Sequence, residues 1–327
     1  MLRRLQVRAA RCLLAGVAVA AAGAAIAQGG YPSRPITLVV GFAPGGGTDI
    51  GARIVAKQLS ANLGQQVVVE NRPGAGGNIA AEMVARAVPD GHTIMLAGPG
   101  PLTVAPYLVA KLPYDPRRDF VPISKGVTFP NVLVVHPSLP AATVAEYVAL
   151  AQAKPDTIGY GTSGIGGAGH LAGELFKQVA KAPIVHVPYK GGGPAMTDLL
   201  AGQVPSSFAS APTAIPQVKA GKIRALATTG PTRSALLPDV PTVAESYPGY
   251  DATNWYAFVA PAKTPKEIVD RLNRELAKVL ATPEVREQLL ANGMEPEPST
   301  PEELAKHIDS QLALWGKVVK EARIEAQ

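Results

Sequence analysis

The run ITLVVGFAPGGGTD at residues 36–49 constrains this chain more than any other stretch. A short apolar segment stops abruptly in a proline and three glycines, and a helical pattern follows. It reads as a buried strand, a glycine loop and a helix over 50–63. Gly45, Gly46 and Gly47 have no Cβ, so their backbone amides can come close to a bound group. Thr48 or Asp49 is placed to cap the helix, whose first unpaired amides and positive dipole end favour an anion. One such loop could need glycine for geometry alone.

The pattern recurs, however. A strand over 66–70 runs into Asn71-Arg72-Pro73-Gly74-Ala75-Gly76-Gly77 before a helix that starts at Asn78. A third strand over 93–97 stops in Gly98-Pro99-Gly100-Pro101. Three strands thus end in glycine- or proline-rich loops at one sheet edge, where open α/β sheets place their ligands. After a proline-rich passage at 113–122 the scheme restarts. A strand over 132–136 leads to a capping box, Thr143-x-x-Glu146. A strand over 157–160 then enters a glycine-rich loop over 161–169 and a helix from His170, and a strand over 184–188 enters Tyr189-Lys190-Gly191-Gly192-Gly193. Strands over 204–209 and 223–228 bracket a helix over 212–220. The tail holds a strand over 255–260 and helices over 265–280, 283–292 and 300–323, the last opened by Thr300-x-x-Glu303. Alternating strand and helix predicts parallel α/β units in two domains.

The first 27 residues read as a secretory signal. Arg3, Arg4, Arg8 and Arg11 precede an apolar run over 13–25, and Ala25-Ile26-Ala27 is a small-x-small cleavage site. The apolar run is too short to span a bilayer, and no later stretch reaches about 18 unbroken apolar residues. A soluble mature chain from Gln28 is expected. Cys12 is the only cysteine and leaves with the signal, so neither a disulfide nor a thiol nucleophile is expected. The signal holds four of the 31 basic side chains and no acid, leaving 27 bases against 25 acids. That balance gives no electrostatic footprint for nucleic acid.

The chemistry-bearing residues point to binding rather than catalysis. Thr162 and Ser163 offer hydroxyls to a ligand oxygen, and Asp49 could instead take a ligand ammonium or hydroxyl. Arg72 could pair with a second carboxylate. Ser163 with His170 suggests a serine hydrolase, but Gly161-Thr162-Ser163-Gly164-Ile165 lacks the final glycine of G-x-S-x-G. The five histidines, His92, His136, His170, His186 and His307, form no close ligand pair, so no metal and no metal catalysis is expected. No nucleotide-binding lysine motif is present, and no other cofactor is expected.

The ordered set VGFAPGGGTD, ENRPGAGGNIA, LPYDPRRDFVPI, VLVVHPS, GYGTSGIGGAGHLAGELF, VPYKGGGPAMTDLLAGQV, GKIRALATTG, LPDVPTVAES and FVAPAKTP resembles the tripartite tricarboxylate transporter receptors, or Bug family, across the whole mature chain. The resemblance implies a two-domain Venus-flytrap α/β fold, each domain a mainly parallel sheet flanked by helices. Residues 28–128 plus 254–327 would form one domain and 129–253 the other, with hinges near 126–131 and 251–255. It implies a monomeric periplasmic receptor that captures a small organic acid and delivers it to membrane permease subunits, with no chemistry done on the ligand. A sensor-input binding protein is the other reading within this fold. Family members hold a carboxylate largely through loop amides and ordered waters. On this chain the ligand-binding set becomes Phe42, Ala43, Gly45, Gly46, Gly47, Thr48, Asp49, Gly98, Thr162, Ser163, Gly164, Gly166, Gly167, Gly169, Tyr189, Gly191 and Gly192. Where an acid often follows the GQV element in the family, this chain has Pro205-Ser206-Ser207.

Overall fold

A computed structural model of the 327-residue chain describes residues 30–321, so the signal segment lies outside the described residues. β1 (Ile36–Val40), α1 (Gly47–Leu63), β2 (Val67–Asn71), α2 (Asn78–Ala85), β3 (Thr93–Ala97), α3 (Ala105–Leu108) and β4 (Phe120–Phe129) come first. Then follow β5 (Asn131–Val135), α4 (Val144–Ala153), β6 (Ile158–Thr162), α5 (Ala168–Ala180), β7 (Ile184–Pro188), α6 (Gly192–Leu200), β8 (Ser206–Ser210), α7 (Ala211–Lys219), β9 (Arg224–Thr228) and α8 (Val243–Ser246). β10 (Asn254–Pro261), α9 (Lys266–Ala281), α10 (Pro283–Ala291), β11 (Glu295–Pro296) and α11 (Pro301–Glu321) close the chain.

These strands form two sheets, ordered β11-β4-β10-β3-β1-β2 and β7-β6-β8-β5-β9. β1 pairs in parallel with β2 and β3, while β10 is antiparallel to β3 and β4. The second sheet repeats the plan: β6 is parallel to β7 and β8, and β5 is antiparallel to β8 and β9. In each sheet the inserted antiparallel strand is the one that has just arrived from the other lobe. β5 follows the first crossing and β10 the second. The halves therefore share a topology, although they share no residue-by-residue repeat.

Local sequence explains the elements. β1 is almost wholly apolar, as a strand covered on both faces must be. α1 buries Ala52, Val55, Ala56, Leu59 and Leu63, which recur at three- and four-residue spacing on one face. Each large side chain among them contributes roughly 1.5–3 kcal/mol when fully buried. Gly64 ends the helix in the left-handed region at φ 68°, with its amide donating to the Ser60 carbonyl at 3.0 Å. Leu304, Ile308, Leu312 and Trp315 of α11 pack with Val39, Met95 and Trp255, or with Leu171, as core residues. A larger apolar cluster runs from β1 and α1 through Phe129 and Val132 to Ala211 and Ile215, joining the lobes.

Several boundaries differ from the sequence reading. β4 was not expected, because Pro122 and Gly126 interrupt its pattern. The structure accommodates Pro122 opposite a register shift at Phe258 and Val259 of β10. Since β4 runs to Phe129, residues 126–129 belong to a strand, and Pro130 alone separates β4 from β5. α1 begins at Gly47 with Gly46 as its N-cap, so neither Thr48 nor Asp49 caps it. Thr143 accepts from the Glu146 amide, but the Glu146 carboxylate reaches the Ala142 amide (2.6 Å), leaving half a capping box. The box at Thr300 and Glu303 is complete. A further box opens α8 at Thr242.

Candidate functional site

The two lobes meet over a narrow cavity of about 40 Å³. At one rim the Ala43 amide donates to the Lys190 carbonyl (3.1 Å), and Gly46 packs on Gly192 and Gly193. At another rim Gly76 packs so tightly on the Ile165 carbonyl that a Cβ there would sit 2.2 Å from it. Of the residues expected to bind ligand, Phe42, Gly46, Gly47, Thr48, Gly98, Thr162, Ser163, Gly167, Gly169 and Gly192 line this cavity. No lining residue carries a charged side chain.

Four helices begin at the cavity: α1, α5, α6 and α7, behind Gly46, Gly167, Gly191 and Ser210. None of these four N-caps makes a side-chain cap hydrogen bond. Elsewhere the α4 and α8 N-caps are threonines whose hydroxyls accept from the first turn, while α2, α9 and α10 also lack a side-chain cap bond. The first amides of a helix have no partner within it, so helices left without side-chain caps present donors and a positive dipole end, although α7 adds few donors because the Ala211 amide donates to the Pro130 carbonyl and Pro212 has no amide hydrogen. Gly47 lets α1 start against the other lobe, for a Cβ there would lie 2.7 Å from Ser210 Oγ.

The other expected residues support the walls. Asp49 is buried in the first turn of α1. Its carboxylate accepts from the Gly45 amide (3.0 Å), Asn71 Nδ2 (2.9 Å) and Arg53 Nε (3.0 Å), and Arg53 Nη2 lies 2.9 Å away. Burial alone would raise its pKa, but the hydrogen bonds from Arg53, Gly45 and Asn71 outweigh burial and hold it below the usual carboxylate range. With Asn71 Nδ2 also donating to the Phe42 carbonyl (3.0 Å), the network pins the first glycine loop to β2. Ala43, Gly45 and Gly191 form the rim. Tyr189 turns outward to donate to Asp198 (2.8 Å), and burial, helped by that bond, pushes its pKa up to about 12. Arg72 pairs with Glu70 at the surface.

Behind the second glycine loop lies an imidazole stack of buried His170 and half-buried His186. His170 and His186 have ring centroids 4.0 Å apart. The Gly164 amide donates to Thr162 Oγ1 (3.2 Å), and Thr162 Oγ1 shares a 2.6 Å bond with His186 Nε2. The Gly166 amide donates to His170 Nδ1 (3.1 Å). Gly164 and Gly166 thus shape the loop from outside the cavity. Burial lowers both imidazole pKa values, that of His186 to about 3 with help from His170 and Lys177. Ser163 and His170 share no hydrogen bond among the described residues, so no nucleophile–base pair is assembled.

Pro99, Gly100 and Ala168 belong to glycine-rich loops that the sequence places at the site, whereas sequence reading missed Asn131, Ala195, Ser207, Phe208, Ala209, Ser210, Asn254 and Tyr256. Ser207 Oγ donates to the Gly161 carbonyl (2.7 Å), and its neighbour Ser206 donates to Gly159 (2.8 Å), so the Pro205-Ser206-Ser207 departure ties β8 to β6. Burial pushes the Tyr256 phenol up, against the pull of its Thr48 hydrogen bond, so it stays protonated. Among the described residues, no group of His, Cys, Asp and Glu could hold a metal ion, and no helix is long and apolar enough to cross a membrane.

Comparison with known proteins agrees with this architecture. Residues 51–324 match the tripartite tricarboxylate transporter family receptor. The chain is 38% identical to the protein BugT of Bordetella pertussis over 310 residues, 94% of this chain and 95% of BugT. Rpa4515 of R. palustris, solved with adipate, superposes with a TM-score of 0.88 at 39% identity, covering 91% of this chain and 100% of that one. MatC of Rhodopseudomonas palustris, solved with bound malate, gives 0.85 at 33% identity, covering 88% and 100%. With a lobed α/β frame, a cavity between the lobes and matches along nearly its whole length, the chain belongs to the tripartite tricarboxylate transporter receptor family, whose members are periplasmic solute-binding proteins rather than enzymes.

Proposed function

We propose that this receptor is exported to the periplasm after cleavage near Ala27, captures a small carboxylate between two lobes and hands it to the membrane subunits of a tripartite transporter. The proposed lobes are residues 28–128 with 254–327, and residues 129–253, with Phe129 joining the first lobe through its pairing with Asn254. The observation that carries this reading is the convergence of four helix starts without side-chain caps on a cavity with no charged lining side chain. Amides aimed at an oxyanion form charge-assisted hydrogen bonds and need no guanidinium. Adipate in Rpa4515 and malate in MatC are both carboxylates, which supports the ligand class. Because the rims touch, capture requires the lobes to part and close again.

A thermal-shift panel of malate, adipate, citrate, glutamate and benzoate, with maltose and divalent metals as controls, tests the ligand class. An acid at 100 times its Kd stabilises the folded chain by about 2.7 kcal/mol. For a protein of this size that raises Tm by on the order of 5 to 10 °C. Shifts by maltose or metals alone would overturn the carboxylate assignment. Delivery is tested by uptake of the bound acid into cells, which should be lost when the gene is removed and restored when it is returned.

A further inference from the structure

Asn131 is the first residue of β5, directly after the first crossing between lobes, and it lines the cavity while only 1% exposed. Its backbone is fastened to the second crossing. The Asn131 amide donates to Thr229 Oγ1 (2.8 Å), the Thr229 amide donates to the Asn131 carbonyl (2.9 Å), and Thr229 Oγ1 donates to the Ala252 carbonyl (3.1 Å). Beside it the Ala211 amide donates to the Pro130 carbonyl (3.2 Å). Both crossings and the start of α7 are therefore joined at this residue. The side chain is held by none of these bonds. Asn131 Nδ2 is buried with no hydrogen-bond partner among the described residues.

A buried primary amide without an acceptor is costly, and native proteins rarely leave one in that condition. The protein supplies no acceptor here, and of the five buried polar atoms without a partner among the described residues only this one belongs to a residue that lines the cavity, so an occupant of the cavity is placed to supply the acceptor. A carboxylate accepts on both oxygens and offers no competing donor. We infer that the Asn131 side-chain amide is a ligand-reading group that donates to an oxygen of the bound acid and helps set specificity at the hinge end of the cavity. This rests on the carboxylate reading given above. Because no protein hydrogen bond fixes the side-chain amide, rotating its NH2 toward an oxyanion breaks no protein contact.

The topology supplies a counterpart. Asn254 is the first residue of β10, directly after the second crossing, and it too lines the cavity. β10 holds the place in its sheet that β5 holds in the other. Asn254 Oδ1 accepts from the Trp255 amide (2.8 Å), which fixes that end as the carbonyl and directs its NH2 elsewhere. Each lobe thus brings one asparagine to the cavity where the chain enters it.

Asn131→Leu keeps similar volume and leaves every backbone bond in place, and isothermal titration with malate and adipate is the test. The ligand-free variant should melt no lower than the native chain, since removing an unpartnered buried donor relieves a cost rather than breaking a bond. Its Kd for the acid that the native chain binds should rise by about 10- to 100-fold, the range for a hydrogen bond to a charged group. A melt lowered by several degrees without ligand would mean that the amide serves the fold, and would overturn the assignment. A Kd within twofold of native would overturn it too, while leaving the carboxylate reading intact. Should native protein bind neither these acids nor any other in the panel, the carboxylate reading falls and takes the assignment with it. If Asn131→Leu does not fold, Asn131→Ala is read for the Kd ratio alone, with the same limits.

Discussion

Replacing Gly47 by alanine separates closure from folding, because the two respond differently. Gly47 is the first residue of α1, and alanine favours a helix over glycine by about 1 kcal/mol. Within its own lobe the one close neighbour is the Tyr256 hydroxyl, the far end of a side chain that can shift, so there the change should be close to neutral. Across the cleft it is not. The added Cβ would lie 2.7 Å from Ser210 Oγ and 3.0 Å from Pro212 Cγ in the other lobe, and 3.0 Å from the Tyr256 hydroxyl. These distances are roughly 0.5 to 1 Å short of ordinary contact. The strain is relieved by holding the lobes slightly apart, and overpacking of this kind costs about 1–3 kcal/mol. Ligand affinity should fall roughly 5- to 150-fold. Isothermal titration gives the affinity, scattering gives the radius of gyration with and without ligand, and the ligand-free melt reports folding. Native affinity with a normal compaction on binding would refute the steric argument. So would a ligand-free melt lowered by several degrees, since the damage would then lie within a lobe.

Two further expectations concern the groups behind the cavity walls. The His186 pKa of about 3 lies below the ordinary 6.5, so the unfolded chain takes up the proton first as pH falls. Stability from this residue is whole above pH 6.5 and is lost toward pH 3, at up to about 1.4 kcal/mol per pH unit. Melts between pH 7 and 4.5 should show a downward trend that is flatter in His186→Gln, and an unchanged slope would refute the assignment. Asp49 has the opposite sign of charge and a depressed pKa, so its contribution is present above the ordinary carboxylate range and fades as pH falls through its lowered value. Asp49→Asn should cost about 1–3 kcal/mol at pH 7 by leaving Arg53 and the Gly45 amide short of an acceptor. A normal melt with binding abolished would instead make Asp49 a ligand group.

How much of this was legible follows from what local sequence encodes. A strand ending in glycines before a helical pattern is a local signal, and it picked out the loops at 42–49 and 162–169, which hold eight of the ten expected residues that line the cavity, Gly98 and Gly192 coming from two further loops. The inserted strands carry no such signal. β10 reads only as an apolar run, and nothing within residues 254–261 states that it lies between β3 and β4. Asn131, Asn254 and Tyr256 reach the cavity solely because of that placement. β4 was hidden because Pro122 and Gly126 look like loop residues until the irregular pairing with β10 is known. The role of Asp49 depended on Asn71, 22 residues away, and on a helix that starts two residues earlier than Asp49 itself. A cap, a ligand group and an internal anchor look alike until the partners are placed.

The division of labour between loops and inserted strands bears on what different receptors of this frame can recognise. Helix starts read negative charge and little else, because a peptide amide is the same on every residue. On the proposed carboxylate reading the repeated β1–α1 and β6–α5 units would account for retention of an anion, but they could not by themselves distinguish one acid from another. Discrimination needs side chains, and the lining side chains with polar atoms come from both kinds of element. Thr48, Thr162 and Ser163 lie at the glycine loops, where backbone geometry restricts change. Asn131, Asn254, Tyr256, Ser207 and Ser210 lie on β5, β10 and β8. Of these, Ser207 is committed to the Gly161 carbonyl and Ser210 to Thr213. On the proposed reading, the freedom to select a ligand would thus concentrate at the ends of the two inserted strands, where the chain crosses between lobes.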